Sequence, residues 1–296
     1  MNKVIVIVGP TSIGKTKLGI ELAKKLNGEI INADSTQIYR NLDIATAKVT
    51  ENEKCGINHY LIDIRNIDED YSVFDYQNDC RKSIDIILQK NKIPILVGGT
   101  GLYIKAALYD FTFEKEKKRV CFDNLSNEEV YNYLLKLDPN TIIHKNNRKR
   151  VERAINYYLN NNSPLSEKVK SNSPLYDCIF IGLTTDRKVL YNRINNRVDK
   201  MIKDGLIEEA RKIYNLNIRS KAVMTPIGYK ELFDYFDCKI TIDSAIELIK
   251  QRSRRYAKRQ YTWFKNQMDV NWFEADFNNF DKTIECVYNF IKKNNS

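Results

Sequence analysis

The hydrophobic positions of the chain fall into short continuous runs, separated by stretches in which they recur at helical spacing. The run Val4–Val8 is rich in β-branched residues and indicates a strand buried on both faces, as in a parallel sheet. Shorter apolar runs at 29–33, 93–97 and 178–183 predict further strands. The alternation of these strands with helical segments predicts an α/β fold in which helices cover both faces of a parallel sheet.

The pattern changes after Phe111, where a charged run at 114–119 precedes a largely helical segment. We therefore predict that residues 111–176 form a helical insertion, and that 1–110 and 177–296 form the core. Helical spacing predicts helices at 15–26, about 75–90, 126–159 with a break at Asp138–Pro139, about 187–204, 207–214 and 242 to about 264.

The first strand runs directly into a phosphate-binding motif. Residues 9–16 fit the pattern G-x-x-x-x-G-K-[ST], the P-loop, whose backbone N–H groups and following helix N-terminus surround phosphate oxygens. Lys15 adds a positive charge, and the hydroxyl of Thr16 can bind Mg²⁺. Nucleotides such as ATP occupy most such loops, but a pyrophosphate ester satisfies the same donors. The predicted pyrophosphate-binding residues are Gly9, Pro10, Thr11, Ser12, Ile13, Gly14, Lys15 and Thr16.

Two polar positions follow the next strands of the predicted sheet. Asp34 comes after the strand at 29–33, and Thr100 lies in Gly98–Gly101 after the strand at 93–97. Ligands of open α/β sheets bind at the carboxyl ends of strands, so both residues should face the P-loop crevice. Asp34 could act there as a general base or as a metal partner. The alternatives are a helix N-cap for Asp34 and an ordinary glycine turn for Thr100.

The 296 residues carry a formal net charge of +10, which permits a polyanionic partner. One basic cluster, Lys145–Arg153, lies in the insertion; the other, 251–260, lies in the last predicted helix beside aromatic residues that can stack on bases. The six cysteines show no CxxC spacing, so a zinc site is not expected. No apolar run is long enough to span a bilayer, and we expect a cytoplasmic protein without membrane contact.

Together these motifs resemble those of the tRNA dimethylallyltransferases, in the same order over nearly the whole chain. The motifs that carry the resemblance are Gly9–Thr16, Asn32–Tyr39, Asp43–Lys48, His59–Asp63, Tyr71–Ser72, Pro94–Tyr103, Arg150–Ala154, Gly228–Glu231 and Ala257–Phe264.

The resemblance implies transfer of a dimethylallyl group from its pyrophosphate to N6 of adenosine 37, beside the anticodon, in tRNAs reading codons that begin with U. The family fold is a P-loop core with a helical insertion, and the target base is flipped into a channel. Asp34 would orient or deprotonate the amine, Thr100 would contact the nucleotide or the leaving group, and Arg197 would neutralise the departing pyrophosphate. Mg²⁺ would be the cofactor, held by Thr16, and the enzyme would be a monomer.

The resemblance also implies an extended surface for the anticodon loop. The implied tRNA-binding residues are Asp34, Ser35, Thr36, Gln37, Thr100, Lys149, Arg150, Arg153, Gly228, Tyr229, Lys230, Arg254 and Arg255. The segment between Asp110 and Ser126 is shorter than the family's first insertion helix, and Lys115–Arg119 are the candidate replacement for its RNA contact. No Cys/His zinc finger follows residue 264, which is typical of bacterial members.

Three other functions fit part of this pattern. A P-loop kinase explains the P-loop and Asp34 but leaves the basic, aromatic C-terminal helix without a role. A prenyltransferase acting on free adenine nucleotides would not need two basic clusters. A nucleotide-gated RNA-binding module without catalysis would not need Asp34 or Arg197.

Overall fold

The computed structural model describes residues 3–113, 119–167 and 173–294. Contacts divide the chain into two compact units, the first made of Met1–Tyr109 with Pro174–Ser296 and the second of Asp110–Ser173. Most of the charged run at 114–119 lies outside the described residues; Arg119 is described, and it is exposed. In the described part of the chain, no helix has both the length and the apolar character needed to cross a membrane.

The first unit contains a six-stranded sheet in which all neighbouring strands are parallel. The strand order is β3-β2-β4-β1-β5-β6, so β1 lies between β4 and β5. The strands are β1 Lys3–Val8, β2 Gly28–Asn32, β3 His59–Tyr60, β4 Ile93–Val97, β5 Asp177–Thr184 and β6 Asn271–Glu274. The predicted α/β class with a parallel sheet is confirmed.

The helices of the first unit surround this sheet, and two further α-helices belong to the second unit. Those of the first unit are α1 Lys15–Leu26, α2 Glu51–Lys54, α3 Val73–Gln89, α4 Gly101–Leu108, α7 Arg187–Lys203, α8 Leu206–Asn215, α9 Lys221–Met224, α10 Tyr229–Phe236, α11 Ile242–Gln267 and α12 Phe280–Lys293. Those of the second unit are α5 Asn127–Leu137 and α6 Arg148–Asn161.

Strand β1 is buried on both faces, which explains its continuous apolar sequence. Val4, Val6 and Val8 belong to one hydrophobic cluster, and Ile5 and Ile7 belong to another. Because successive side chains of a strand point to opposite faces, these two clusters are the layers above and below the sheet.

The second unit has a small apolar core of its own. Its buried residues come from the segment before α5 and from both helices: Phe122, Val130, Leu134, Val151, Ala154 and Ile155. The predicted break at Asp138–Pro139 extends in the structure to the start of α6. Pro139 cannot continue a helix, and the buried carboxylate of Asp138 accepts hydrogen bonds from the backbone N–H and hydroxyl of Ser166.

Glu29 of β2 accepts several hydrogen bonds near the β3 edge of the sheet, although its side chain is almost fully buried. Its oxygens accept hydrogen bonds from Lys92 at 2.8 Å, Lys90 at 3.0 Å, Tyr60 at 2.7 Å and Asn58 at 2.9 Å. Burial alone would raise the pKa of Glu29, but these hydrogen bonds together outweigh burial and lower the pKa to about 2.

We expect this carboxylate to make stability depend on pH. Its pKa is lower in the folded than in the unfolded chain, so its contribution is complete above pH 5 and is lost as the pH falls towards 2. In urea unfolding, the free-energy difference between the wild type and Glu29→Gln should be largest at pH 7 and clearly smaller at pH 3. A difference that does not change with pH would contradict the assignment to the charge.

Candidate functional site

The candidate site forms where three turns meet at one edge of the sheet. The turns are the P-loop after β1, the segment beginning at Ala33 after β2, and Gly98–Thr100 after β4. Strands β2, β4 and β1 are neighbours and run parallel, so their carboxyl ends lie side by side. This adjacency brings Asp34, Thr100 and the P-loop to one crevice, as the sequence predicts.

The P-loop holds its lysine close to its own backbone. The Nζ of Lys15 donates to the carbonyl oxygens of Gly9 at 3.0 Å and Pro10 at 2.8 Å. Glycine is needed at both ends of the loop: Gly9 and Gly14 have φ values of 139° and 101°, and a Cβ on Gly14 would lie 2.6 Å from the ring of Phe280. The helix α1 starts at Lys15, so its N-terminus faces the loop.

Thr11 is held by two side chains from other elements. The carboxamide oxygen of Gln260 accepts from the backbone N–H of Thr11 at 2.9 Å, and Arg197 donates to its hydroxyl at 2.9 Å. The carboxamide nitrogen of Gln260 also donates to the carbonyl of Gly99 at 3.1 Å. Gln260 is buried, and it joins the P-loop to the turn that carries Thr100.

The next loop residue, Ser12, is contacted by an arginine of α7. The Nε of Arg193 donates to the carbonyl of Ser12 at 3.0 Å, and its guanidinium lies 3.7 Å from the ring centre of Phe277. Ser12 itself has a φ of 65°, and its buried hydroxyl has no hydrogen-bond partner among the described residues. A buried hydroxyl without a partner can donate a hydrogen bond to an acceptor atom of a ligand.

Asp34 is fixed by a turn in which one carboxylate oxygen is used and the other is not. Its Oδ1 accepts from the backbone N–H of Thr36 at 3.0 Å and from the Thr36 hydroxyl at 2.7 Å. Its own N–H donates to the side chain of Asn32 at 3.0 Å. Within the described residues Oδ2 accepts no hydrogen bond, so it is available to a donor in the crevice.

Thr100 is bonded to the same turn as Asp34. Its hydroxyl accepts a hydrogen bond from the backbone N–H of Ser35 at 3.0 Å and donates one to the Ser35 hydroxyl at 3.3 Å. The Tyr256 hydroxyl reaches the side chains of Thr100 and Gln260, and burial raises the pKa of Tyr256. These contacts bind the turns after β2 and β4 to each other and to α11.

The two cations of the crevice are partly removed from water. Desolvation lowers the pKa of Lys15 to about 8, although the nearby charge of Asp34 acts in the opposite direction. Desolvation also lowers the pKa of Arg197, and again Asp34 opposes the shift. Lys15 and Arg197 repel each other, which further lowers the pKa of Lys15. An anion between Lys15 and Arg197 would compensate both cations for their lost hydration and reduce their mutual repulsion.

These groups line one cavity of about 470 Å³. The predicted site residues that line it are Thr11, Ser12, Lys15, Thr16, Asp34, Ser35, Thr36, Gln37, Thr100 and Arg197. The other four predicted P-loop residues, Gly9, Pro10, Ile13 and Gly14, shape the loop behind this surface.

Part of the cavity wall is formed by Ala45, Thr46 and Ala47, and the segment 43–48 to which they belong is held by charged side chains. The carboxylate of Glu209 accepts from the backbone N–H groups of Asp43, Ile44 and Ala45 at 2.8–3.1 Å. The Nζ of Lys48, whose side chain is almost fully buried, donates to Asp43 and to the carbonyl of Tyr39. This wall is therefore rigidly built.

The predicted tRNA-binding residues of the first unit that do not line the cavity differ in solvent exposure. Gly228 and Tyr229 are buried, and the Tyr229 hydroxyl donates to Glu209 at 2.7 Å, so we do not retain either as an RNA contact. Arg254 is half-buried and donates to Asn195 at 2.6 Å, which links α11 to α7. Lys230 and Arg255 are exposed.

The predicted RNA contacts of the second unit lie on α6. Lys149, Arg150 and Arg153 are exposed. Arg148, from the same basic cluster, instead donates to the carbonyls of Phe122 and Leu125 and pairs with Glu152, so it supports the core of this unit.

Three residues that shape the site have no role in the sequence-based prediction: Gln260, Arg193 and Glu209. Of these residues, Gln260 is the one whose role the sequence pattern indicates most clearly. It follows the basic run of α11, but Ala257, Gln260 and Phe264 are spaced by three and four residues and are all buried. A polar residue on the apolar face of a helix indicates a buried hydrogen-bonding role.

The chemistry of the site suits Mg²⁺, since the donors are hydroxyls and a carboxylate. Among the described residues, no group of three or more histidine, cysteine, aspartate or glutamate side chains could hold a metal ion. Mg²⁺ commonly binds through one or two protein oxygens together with substrate phosphates and water. Thr16, which is exposed on the cavity lining, fits that mode.

Comparisons with known proteins identify relatives over the full length of the chain. A family model described as IPP transferase matches residues 37–267. A tRNA dimethylallyltransferase of Geobacillus thermodenitrificans is 48% identical over 303 residues, covering 98% of this chain and 96% of the relative. One of Bacillus cereus is 46% identical over 312 residues, covering 100% of this chain and 98% of the relative.

Solved structures with the same fold lead to the same family. A tRNA isopentenylpyrophosphate transferase of Bacillus halodurans is 42% identical with a TM-score of 0.77, covering 99% of this chain and 96% of that chain. A eukaryotic dimethylallyltransferase acting on tRNA is 29% identical with a TM-score of 0.82, covering 99% of this chain and 80% of that chain. With a family match over most of its length and relatives near 48% identity, the chain belongs to the IPP transferase family.

Proposed function

We propose that this enzyme transfers the dimethylallyl group of dimethylallyl pyrophosphate to N6 of adenosine 37 in tRNAs that read codons beginning with U. The observation that carries the proposal is the single cavity in which the P-loop cation Lys15 and the unused oxygen of Asp34 face the same space. A pyrophosphate ester and an amine can meet there. The relatives named tRNA dimethylallyltransferase support the same reaction.

In the proposed reaction, N6 of the adenine attacks C1 of the dimethylallyl group. The C1–O bond breaks, pyrophosphate leaves with the bonding electrons, and N6 loses a proton. The free Oδ2 of Asp34 accepts a hydrogen bond from the amine, orients it and takes the proton, while Thr36 holds the other oxygen. An exocyclic amine is a weak nucleophile, so this positioning supplies a large part of the rate.

The leaving group develops negative charge, and the cavity supplies the opposite charge. Lys15 and Arg197 are both desolvated, so their attraction for pyrophosphate is stronger than it would be in water. The hydroxyl of Ser12 offers one more donor. Thr100 contacts the adenosine or the leaving group from the opposite turn. Thr16 would hold Mg²⁺, which would supply further positive charge to the pyrophosphate.

The RNA itself is bound by exposed cations of both units. In the first unit these are Lys230 and Arg255, and in the second Lys149, Arg150 and Arg153. Ser35, Thr36 and Gln37 line the cavity and contact the target nucleotide. We further propose that the enzyme acts as a monomer in the cytoplasm.

A labelled transfer assay tests the proposed function. With dimethylallyl pyrophosphate labelled in the prenyl group, we expect label to appear in an anticodon stem-loop RNA that carries adenosine 37. Free AMP and ATP should accept no label. Transfer to AMP would favour an enzyme acting on free nucleotides, and ATP hydrolysis without prenyl transfer would favour a kinase-like P-loop protein.

We expect replacement of Asp34 to separate binding from turnover. Asp34→Asn keeps an oxygen for Thr36 but replaces the free carboxylate oxygen with a donor. Turnover should fall by ~10² or more, while the Kd for tRNA changes little. Asp34→Ala should have a similar effect on turnover. Normal turnover in both variants would remove the role assigned to Asp34.

The depressed pKa of Lys15 predicts a limit at alkaline pH. Lys15 is a cation below pH 8 and loses its charge above, so kcat/KM for the prenyl donor should fall above about pH 8. Lys15→Arg keeps a charge that does not titrate in this range. Its lower kcat/KM should therefore stay level between pH 7 and pH 9. A parallel fall in both proteins would assign the alkaline limit to another group.

A further inference from the structure

The carboxamide of Gln260 connects two of the turns that form the candidate site. Its Oε1 accepts from the backbone N–H of Thr11, in the P-loop, at 2.9 Å, and its Nε2 donates to the carbonyl of Gly99 at 3.1 Å. Gln260 is only 4% exposed, and both of its polar atoms are engaged with the backbone. These contacts fix the separation of the two turns rather than present the carboxamide to a substrate.

The turn at Gly99 is bonded to both neighbours of Asp34. The backbone N–H of Thr100 donates to the carbonyl of Ala33 at 3.0 Å, and the hydroxyl of Thr100 accepts from the backbone N–H of Ser35 at 3.0 Å. A shift of this turn would therefore move the carboxylate of Asp34 with it. A continuous chain of hydrogen bonds thus runs from the P-loop, through the carboxamide, to the residues on either side of Asp34.

The approach of the carboxamide explains why residue 99 is a glycine. A Cβ on Gly99 would lie 1.9 Å from the Nε2 of Gln260. Gly99 does not have a positive φ, so its backbone conformation does not require a glycine. Any larger residue would push the end of the Gln260 side chain away from the carbonyl to which it donates. The glycine and the carboxamide are therefore two parts of one contact.

The helix α11 fixes the carboxamide from behind. Tyr256 lies four residues before Gln260, on the same face of the helix, and its hydroxyl reaches the side chains of Gln260 and Thr100. Ala257 and Phe264, which flank Gln260 on this face, are fully buried. The position of the carboxamide is therefore set by a packed helix and not by the side chain alone.

We propose that Gln260 is a positioning residue for prenyl transfer, which sets the distance between the pyrophosphate in the P-loop and the amine held by Asp34. This inference rests on the proposed function, because it takes a prenyl pyrophosphate and an adenine amine as the two reactants. The reacting atoms, N6 and C1, must approach to about 3–3.5 Å, and a misplacement of about 1 Å lowers the rate by as much as ~10². Binding tolerates such a shift, since each substrate contacts its own turn.

A purely structural role would make Gln260 equivalent to other buried glutamines. Gln77 of α3 is one of these: it is also 4% exposed, and its Nε2 donates to the carbonyl of Ala106 in α4 at 2.8 Å. Gln77 does not line the cavity. Gln260 differs in that its two partners belong to the turns that hold the two reactants. Gln77 is therefore the matched control for the loss of a buried carboxamide.

Single-turnover kinetics can separate positioning from binding and from folding. The proteins are the wild type, Gln260→Leu, Gly99→Ala, the variant with both changes, and Gln77→Leu. Each is mixed in excess with an anticodon stem-loop and saturating labelled dimethylallyl pyrophosphate. The rate constant reports the geometry of the reactants, and the amplitude reports the fraction of folded enzyme. Kd values for the stem-loop and for inorganic pyrophosphate are measured in parallel.

We expect Gln260→Leu to lower the rate constant by ~10- to 10²-fold, with little change in either Kd. Gly99→Ala should lower it by a similar factor, because the new Cβ displaces the carboxamide. The variant with both changes should be no slower than the slower single variant, since both changes break the same connection. Gln77→Leu should keep the rate constant of the wild type, whatever its amplitude.

Three results would overturn the inference. A normal rate constant in Gln260→Leu, with or without a smaller amplitude, would leave the residue only a structural role. A loss that saturating donor restores, together with a raised Kd for pyrophosphate, would make it a donor-binding residue. Losses that multiply in the variant with both changes would show that Gln260 does not act through Gly99. Failure of the proposed function looks different, since the wild type itself would then transfer no label.

Discussion

The parallel adjacency of β2, β4 and β1 is the constraint on which the site depends. Each strand ends at the same edge, and each is followed by a turn that supplies a different part of the chemistry. A sheet fixes the ends of its strands but leaves the turns free, so further contacts are required. Gln260 provides the central one, because a single buried carboxamide bonds both the P-loop and the turn at Gly99.

The electrostatic design of the cavity follows from its burial. Lys15 and Arg197 are held close together with much of their hydration lost, which is costly without an anion. Backbone carbonyls of the P-loop and the charge of Asp34 offset part of that cost. In the proposed reaction, a pyrophosphate group bound between the two cations would offset more of that cost. The same Asp34 keeps one oxygen for the second substrate.

The sequence predicted the longer buried strands and several amphipathic helices, because their patterns extend over many residues, but it did not predict the amphipathic helices α10 and α12. It missed β3, which has two residues, and β6, which pairs with a single neighbouring strand. It also missed α4, whose sequence is apolar on most sides and so lacks a helical pattern. At the site, the motif residues were found by their chemistry. Gln260 was missed because its partners, Thr11 and Gly99, are distant in sequence.

Arg259 shows how one helix can support both substrates. It lines the cavity and lies one residue before Gln260, so the helix that fixes the P-loop also carries a cation of the site. A strand bound along α11 would therefore be placed relative to Thr11 and Thr100 by one rigid element. Since the reaction depends on positioning a weak nucleophile against C1 of the donor, a common support for RNA and pyrophosphate is the arrangement that the chemistry requires.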